Sequence, residues 1–410
     1  MSPSARMAMI FSCVGHFYIH MMTAFYFVIV LTLVVEWNQP YSELLRLWVI
    51  ASALLGLVAI PAGRLADRWS IRGTMVLFFI GMGISSIICG MVSSQLALLM
   101  ALSGIGVFGA IYHPVGIPWL IRSARANTGK LLAVNGIFGS LGNAGAAVIA
   151  GLLIDQFGWR MAFIVPGVIC AVTGLGMWWF VVTGRIVDGA AAPDNSADDA
   201  SRGDFIRVSI LLLISLAVGG VIYQATQTAL PKHFATELQD WSLQLFSGLT
   251  LDTKSSTGLG AIVSIVYSSS IVMQYVGGVL ADRYSLKYIY VICWFLQIVM
   301  LAAIAGATGL GLVGAALLAV AVNITMLPAE NMLIYHYAPW RHRSLIFGIK
   351  FVITFGAAPL SVALVAFIQE EQNTLDILFG GLAAATLVVA LLLIFLPEDK
   401  QPTHKTVAAE

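Results

Sequence analysis

Twelve long apolar segments dominate this sequence and constrain what it can fold into. A helix needs about 20 mostly apolar residues to cross the hydrocarbon layer of a bilayer. Lipid offers no hydrogen-bond partners, so the backbone N–H and C=O groups of such a segment must bond to one another. Segments of this length are therefore expected to be helical. The sequence therefore predicts an all-α integral membrane protein with twelve transmembrane helices. The segments lie at 8–35, 44–63, 73–93, 96–121, 131–154, 160–183, 207–230, 258–280, 288–308, 310–337, 344–368 and 374–396.

The composition excludes several classes of protein. Hydrophobic residues make up 59% of the chain and charged residues 10%, against about 25% charged in a soluble domain. The net charge of +1 gives no basic field for nucleic acid. Four cysteines stand singly in apolar segments, which is neither a disulfide framework nor a metal cluster. We expect a lipid environment, no nucleic acid partner, no cofactor and no resident metal. The cysteines are Cys13, Cys89, Cys170 and Cys293.

The basic residues predict the orientation of the chain. If both termini face the cytoplasm, sixteen lysines and arginines lie inside and only four lie outside. Cytoplasmic loops carry the excess of such residues. The four outside are Arg46, Arg160, Lys232 and Lys254. The remaining one, Lys350, falls within a predicted span.

The longest predicted cytoplasmic connection, 184–206, divides the spans into six and six. It is rich in Ala, Asp, Ser and Gly, as flexible linkers are. It separates an N-terminal six-helix bundle (1–183) from a C-terminal one (207–396), which a cytoplasmic tail (397–410) follows. The long outside loop 231–257 is predicted to carry a short helix. Asp155 and Arg160 flank an outside turn and are predicted to pair.

The two halves share a repeated motif. The run G-R-L-A-D-R-W-S-I-R at 63–72 returns as G-V-L-A-D-R-Y-S-L-K at 278–287. Such repeats imply two pseudo-symmetric bundles with a site between them. The first copy resembles the signature loop of the major facilitator superfamily, and the resemblance implies that fold and alternating-access transport. It assigns conformational gating to Gly63, Asp67, Arg68, Arg72, Gly278, Asp282 and Arg283; alternatively, their charges only anchor tight loops.

Two opposite charges lie at matching depth in neighbouring spans. Glu330 lies nine residues before Pro339, and Lys350 lies seven residues after Arg343. Helix rise puts both about 10–13 Å from the cytoplasmic end. Ionisable groups inside spans are costly and usually functional. We predict that Glu330 and Lys350 pair and that Glu330 carries proton coupling; a static pair joining spans ten and eleven is the alternative.

Histidines stand on two of the spans that the resemblance assigns to the central cavity. His16 and His20 are four residues apart on span one and therefore share a face. Span four adds Tyr112 and His113. Such a group can bind a proton or a soft metal ion such as copper. It can equally hydrogen-bond an organic substrate.

Uncharged polar residues complete the predicted substrate cavity. Gln224, Gln227 and Thr228 follow i, i+3, i+4 spacing and form one stripe on span seven. Tyr267 on span eight and Asn331 beside Glu330 join this set. Amides and hydroxyls suit a neutral ligand rich in heteroatoms. Hydrogen bonds between helices are the alternative use of these groups.

A finer resemblance suggests the cargo. Tyr112-His113-Pro114 and Pro328-Ala329-Glu330-Asn331 resemble a proteobacterial branch that includes fosmidomycin-resistance-type exporters, riboflavin importers and a copper importer. The copper importer's Met-x-x-x-Met and His-x-x-x-Met motifs are absent from spans seven and eight. We therefore expect a monomeric permease of the inner membrane that takes up a small organic nutrient by proton symport, with riboflavin as the best single candidate. Copper import and drug export by proton antiport are the alternatives.

Other classes of function are less favoured. A membrane-embedded enzyme would need a nucleophile with its base or a metal centre, and the sequence offers only scattered histidines. A lipid flippase would need a lateral opening, and a sensor would usually add a soluble output domain. The sequence predicts a transporter and no catalytic residues.

Overall fold

The computed structural model describes residues 2–123, 128–187, 202–239, 241–246, 249–337 and 343–398. Helices make up nearly all of this part of the chain. The N-terminal half holds α1 (Pro3–Ala24), α2 (Tyr26–Trp37), α3 (Tyr41–Leu57), α4 (Ala59–Arg68), α5 (Ile71–Met91), α6 (Gln95–Gly109), α7 (Tyr112–Ser123), α8 (Thr128–Phe157) and α9 (Trp159–Val182). The C-terminal half holds α10 (Arg202–Glu237), β1 (Ser242–Phe246), β2 (Leu249–Asp252), α11 (Ser256–Arg283), α12 (Leu286–Gly306), α13 (Gly309–Tyr337), α14 (Arg343–Gln372) and α15 (Asp376–Leu393).

The predicted spans correspond to the helices of the structure. Within the described residues, eleven helical segments are long and apolar enough to cross a membrane, and a bent pair makes up to twelve. The bent pair is α3 and α4, which meet at 41°. The first span is α1 followed by α2, with a break at Phe25. The all-α membrane class with twelve spans is confirmed.

Hydroxyl side chains begin several of these helices. The Ser70 hydroxyl accepts a hydrogen bond from Gly73 N (3.1 Å) at the start of α5. The Ser255 hydroxyl accepts one from Gly258 N (2.9 Å) at the start of α11. Both satisfy amide groups that a helix leaves unpaired at its N-terminus. Ser70 lies inside the repeated motif, so the motif also fixes where α5 begins.

The loop between α10 and α11 differs from its prediction. Instead of a short helix, it holds an antiparallel hairpin in which Ser242 faces Asp252 and Leu243 faces Leu251. Both strands alternate apolar and polar residues, as strands do. The prediction of a short helix was wrong, and α10 extends to Glu237. Most of the predicted linker (188–201) and of the tail (399–410) lies outside the described residues.

The most extensive contacts between the N-terminal bundle (α1–α9) and the C-terminal bundle (α10–α15) are made by two helix pairs. They are α3 with α14 and α8 with α11. Glycines allow α8 and α11 to approach closely. A Cβ added at Gly260 would lie 2.3 Å from the Ala147 carbonyl oxygen, and one at Gly151 would lie 2.2 Å from that of Ser256. This junction is therefore built on direct backbone contact.

Asp155 takes part in this junction. Its carboxylate accepts hydrogen bonds from Ser256 N (3.1 Å) and Thr257 N (2.7 Å), the first residues of α11. Arg160 instead donates to the carbonyls of Gly90 and Val92. The predicted Asp155–Arg160 pair was wrong because each side chain finds unpaired backbone groups at a neighbouring helix end.

An ion pair also joins the two bundles at the helix ends that the sequence predicts to lie outside. These helix ends are called the outer end below. Arg46 of α3 pairs with Glu370 of α14 across the two bundles. The two side chains are 44% and 46% exposed. An exposed pair contributes about 0.2–1 kcal/mol, so this one can bias closure of the outer end without locking it.

Reversing one charge of this pair will favour opening. A cysteine introduced by Phe355→Cys on α14 reports opening through its rate of reaction with an impermeant thiol reagent. We expect Arg46→Glu to raise this rate up to about fivefold, since 1 kcal/mol corresponds to about that factor. The exchanged pair, Arg46→Glu with Glu370→Arg, restores the original rate. Equal labelling rates in all three backgrounds would show that the pair has no role in closure.

Candidate functional site

Three histidines meet in the N-terminal bundle. His16 and His20 lie one turn apart on α1, and His113 lies at the start of α7. The His113 ring centroid is 5.6 Å from those of both His16 and His20. Ring nitrogens of the three residues lie within 4.8 Å of one another. Imidazoles at this spacing can share a proton or ligate copper or zinc after a small movement.

The orientation of His16 is fixed by its neighbours. Its Nδ1 lies 2.8 Å from the Asn135 carbonyl oxygen. Because a carbonyl only accepts, Nδ1 carries the hydrogen, and Nε2 of the neutral ring is an acceptor. Nε2 lies 3.2 Å from His20 Nε2. His16 therefore presents a basic nitrogen to the other histidine of its helix.

Tyr112 supports this cluster from behind. Its ring stacks on His16 with centroids 5.0 Å apart. Its hydroxyl donates to the Ser12 carbonyl (2.8 Å) and accepts from Asn135 Nδ2 (2.9 Å). Tyr112 is fully buried, so the structure assigns it a supporting position rather than open cavity surface. Asn135 was not singled out from the sequence, where it is one polar residue in a glycine-rich apolar span.

Glycines of α8 make room for the histidine helix. A Cβ at Gly139 would lie 2.7 Å from His16 Nε2, and one at Gly142 would lie 2.3 Å from the Phe17 carbonyl oxygen. Real Cβ atoms do not approach backbone this closely, so α1 and α8 would have to separate. The bonds from α8 to the histidines depend on that close packing.

We expect Gly142→Ala to destabilise the protein by about 1–3 kcal/mol, as overpacking does, and to reduce transport. Gly145→Ala on the same helix is the matched control. Its Cβ would have 3.4 Å to the flexible end of Ile149 and 3.9 Å to Phe17. Thermal unfolding of both variants in detergent measures the difference; equal melting temperatures would argue against this packing.

A polar connection crosses from the N-terminal bundle to α10. Asn143 Nδ2 of α8 donates to the Tyr223 hydroxyl (2.8 Å). Gln227 Nε2 donates to Asn143 Oδ1 (2.9 Å). Phe355 of α14 packs on His113, with ring centroids 4.7 Å apart. These residues and the three histidines are called the central polar junction below.

The other predicted cavity residues take different positions. Gln224 is half-buried on α10. Thr228 is buried and donates to the Gln224 carbonyl of its own helix (2.8 Å). Tyr267 is buried inside the C-terminal bundle. Asn331 is exposed and accepts a hydrogen bond from Lys350 Nζ (2.5 Å). Of the predicted stripe on span seven, Gln227 is the member that joins the central polar junction.

The two charges predicted to pair lie together in the C-terminal bundle. Lys350 Nζ is 2.7 Å from Glu330 Oε1, and both side chains are about nine-tenths buried or more. The Tyr290 hydroxyl lies 2.9 Å from the other oxygen, Oε2. Three helices, α12, α13 and α14, thus contribute to one buried polar group, which we call the coupling group.

Tyr290 can serve Glu330 in either protonation state. Its hydroxyl also lies 2.9 Å from Ser215 Oγ, and Ser215 donates its own hydrogen to the Leu212 carbonyl (3.0 Å). Tyr290 therefore has one hydrogen and two acceptors. It can donate to a charged Glu330, or accept from a protonated Glu330 while donating to Ser215. Tyr290 could not be singled out from the sequence, because aromatic residues are common in apolar spans.

The repeated motif lies at the opposite end from the Arg46–Glu370 pair. Asp67 is exposed and lies 3.7 Å from Arg122 of α7. Arg72 donates to the Ile186 carbonyl (2.6 Å). A Cβ at Gly63 would have ordinary contact with Pro114 at 3.6 Å. Arg68 is exposed, as are Asp282 and Arg283 in the second copy, where Gly278 is half-buried with open space around its Cα.

A further histidine was missed from the sequence. His233 near the end of α10 is buried, and its Nε2 lies 3.3 Å from the Ile304 carbonyl and 4.0 Å from Asp376. A second group, whose ligand atoms lie within 4.8 Å of one another, consists of His233, Glu237 and Asp376. His233 lies in 231–257, which the sequence predicts to be an outside loop.

Apolar spans in two bundles around a buried polar junction are the architecture of membrane transporters. The family model described as Major Facilitator Superfamily matches residues 12–253 and 245–410. The chain therefore belongs to the major facilitator superfamily and is a transporter rather than an enzyme. The expected fold is confirmed.

Solved transporters share this fold over nearly the whole chain. A bacterial homolog of the human lysosomal transporter Spinster, in an inward-facing and occupied conformation, superposes with a TM-score of 0.71 at 13% identity, covering 97% of this chain and 95% of that one. A POT family transporter in complex with a thioalcohol-conjugated peptide gives 0.71 at 15% identity, covering 93% and 95%.

Curated relatives match only part of the chain. The multidrug resistance protein B homolog of Mycobacterium tuberculosis is 30% identical over 121 residues, 29% of this chain and 22% of that protein. Puromycin resistance protein pur8 of Streptomyces alboniger is 29% identical over 35% of this chain and 29% of its own. Riboflavin transporter RibZ of Clostridioides difficile is 26% identical over 31% and 29%. The matches therefore span less than a third of these relatives.

Proposed function

We propose that this transporter takes up a small neutral organic nutrient by proton symport, and that riboflavin is the best single candidate. The observation that carries the proposal is the central polar junction. Asn143, Tyr223 and Gln227 offer amides and a hydroxyl where the two bundles meet. His113 and Phe355 add flat rings beside them. A planar solute rich in heteroatoms complements both kinds of surface.

The coupling group supports the proton in this proposal. A carboxylate within a span that can gain or lose its lysine partner binds and releases a proton as its surroundings change. Glu330 has Lys350 and Tyr290 as partners. We infer that proton binding at Glu330 releases Lys350 and allows the bundles to rock, with the repeated motif acting at the inner end.

Membrane orientation belongs to the same proposal. The excess of basic residues supports cytoplasmic positions for both termini and for the 184–206 linker. The inner membrane is the expected location, with the chain working as a monomer. The relatives named for drug resistance support export as the competing direction.

The test is growth and uptake with riboflavin. Expression of the chain should restore growth of a riboflavin auxotroph at low riboflavin, and the cells should accumulate labelled riboflavin. Gln227→Leu should reduce uptake, whereas Gln369→Leu, at the exposed end of α14, should not. Without rescue or flavin uptake by a correctly inserted protein, riboflavin would be rejected; faster loss of preloaded riboflavin would indicate export.

The three-histidine group favours copper as a second candidate. Three imidazoles with ring nitrogens within 4.8 Å are a suitable donor set for that ion as cargo. Copper accumulation should then depend on His16, His20 and His113 and should survive Gln227→Leu. Riboflavin uptake that survives loss of these histidines, without copper uptake, would reject this candidate.

A further inference from the structure

A small chamber lies inside the C-terminal bundle, beside the central polar junction. Its volume is about 10 Å³, and α10, α11, α12 and α13 surround it. Three of its lining side chains carry an oxygen that has no hydrogen-bond partner among the described residues: Thr226 Oγ1, Tyr267 OH and Gln297 Oε1. Their residues are 5%, 4% and 3% exposed. Buried polar atoms are rarely left in this condition.

The three oxygens complement one water molecule. Two are hydroxyls that each have a hydrogen to donate, and the third is an amide oxygen that only accepts. A water can accept from Thr226 and Tyr267 and donate to Gln297. A sodium ion would leave both hydroxyl hydrogens without an acceptor. The chamber has about the room that one water requires, and buried waters typically make about three hydrogen bonds.

The chamber lies between the junction and the coupling group. Tyr223, which accepts the bond from Asn143, also lines the chamber. On the other side, α12 and α13 run antiparallel and bring Tyr290 to Glu330. Gln297 lies seven residues after Tyr290 on α12, and Asn323 lies seven residues before Glu330 on α13. Both are therefore displaced by about 10 Å of helix rise in the same direction, and both line the chamber. The helices α12 and α13 thus carry polar residues at two levels: Tyr290 with Glu330 at one, and Gln297 with Asn323 at the other.

We propose that this chamber is a binding site for one internal water, and that this water is a step on the route by which protons pass between Glu330 and the central polar junction. The water site is inferred from the chamber alone. The proton route rests on the proposed proton coupling. Opening of the α12–α13 contact during transport would join the two polar levels.

Thermal unfolding tests the water site without any transport assay. Removing a hydroxyl that bonds a water costs stability, whereas removing a buried hydroxyl without a partner does not. We expect Tyr267→Phe and Thr226→Val each to lower the melting temperature by about 1–2 °C. Tyr26→Phe is the matched control, since its hydroxyl bonds the Leu44 carbonyl and is fully buried. If Tyr26→Phe lowers the melting temperature but Tyr267→Phe leaves it equal or higher, the chamber is dry.

Exchange of sodium for choline chloride distinguishes a cation from water. We expect the same melting temperature in both salts. Stabilisation by sodium that Thr226→Val removes would overturn the water assignment.

The proton route is tested with Gln297→Leu in proteoliposomes. With a proton gradient of one pH unit, we expect the riboflavin accumulation ratio to fall from about ten towards one, with riboflavin exchange across the same vesicles retained. Wild-type accumulation in Gln297→Leu would overturn the route and leave the water site standing. If the unaltered protein itself shows no response to a pH gradient, the proposed function fails, while the unfolding results still decide the water site.

Discussion

Glu330→Gln will abolish accumulation of substrate against a gradient and spare exchange. A proton gradient of one pH unit is worth about 1.4 kcal/mol, which is a factor of ten in concentration. One proton per substrate should therefore let the unaltered protein reach about a tenfold ratio, and Glu330→Gln about one. The amide keeps the shape of the carboxyl group and its contact with Tyr290, but it cannot take up a proton.

Counterflow of labelled substrate in the same vesicles is the companion measurement. Glu43→Gln is the matched control, because Glu43 is an exposed carboxylate in the first turn of α3. If Glu330→Gln accumulates substrate like the unaltered protein, the Glu330–Lys350 pair is static and the proton binds elsewhere. Loss of both activities in a misfolded protein would also favour a static pair.

Lys350→Met will be the most destabilising single change in the coupling group. It leaves Glu330 buried without its cation, and breaking a buried pair in this way costs about 3–5 kcal/mol. Both charges are nearly enclosed, at 10% and 5% side-chain exposure. The double variant Glu330→Gln with Lys350→Met removes the stranded charge, so most of the lost stability should return. Unfolding of all four proteins in a double-mutant cycle measures the interaction.

Additive losses in that cycle would contradict a buried ion pair. A strong interaction in the cycle, together with normal proton-driven uptake by the double variant, would assign the pair to the stability of α13 and α14 alone. The expected result is recovery of stability without recovery of accumulation.

Apolar length predicts most of this fold because bilayer thickness fixes how long a helix must be. The same reasoning located the two charges, since helix rise gives depth directly and Glu330 and Lys350 have similar depths. The hairpin was missed although Ser242–Phe246 and Leu249–Asp252 alternate in polarity. The loop 231–257 is long and mostly polar, and the helix was predicted there without a 3.6-residue pattern to support it.

Contacts that depend on helix rotation could not be predicted. Asn135, Asn143 and Tyr290 are single polar or aromatic residues in apolar helices, and their partners lie on distant segments. Depth along a helix follows from counting residues, whereas the neighbour that a face meets depends on packing of the whole bundle. Arg46 and Glu370 are likewise 324 residues apart. The histidine cluster could be predicted only in part. The spacing of His16 and His20 predicts their shared face, whereas nothing in the sequence predicts that His113 lies beside them.

Parallel measurements of riboflavin flux and proton flux test the proposed proton symport. The purified protein, reconstituted in liposomes with a pH-sensitive dye inside, receives riboflavin outside without any imposed gradient. We expect riboflavin entry to acidify the lumen, and we expect Glu330→Gln to exchange riboflavin without acidification. Riboflavin entry with no proton movement, or acidification that persists in Glu330→Gln, would contradict proton symport through Glu330.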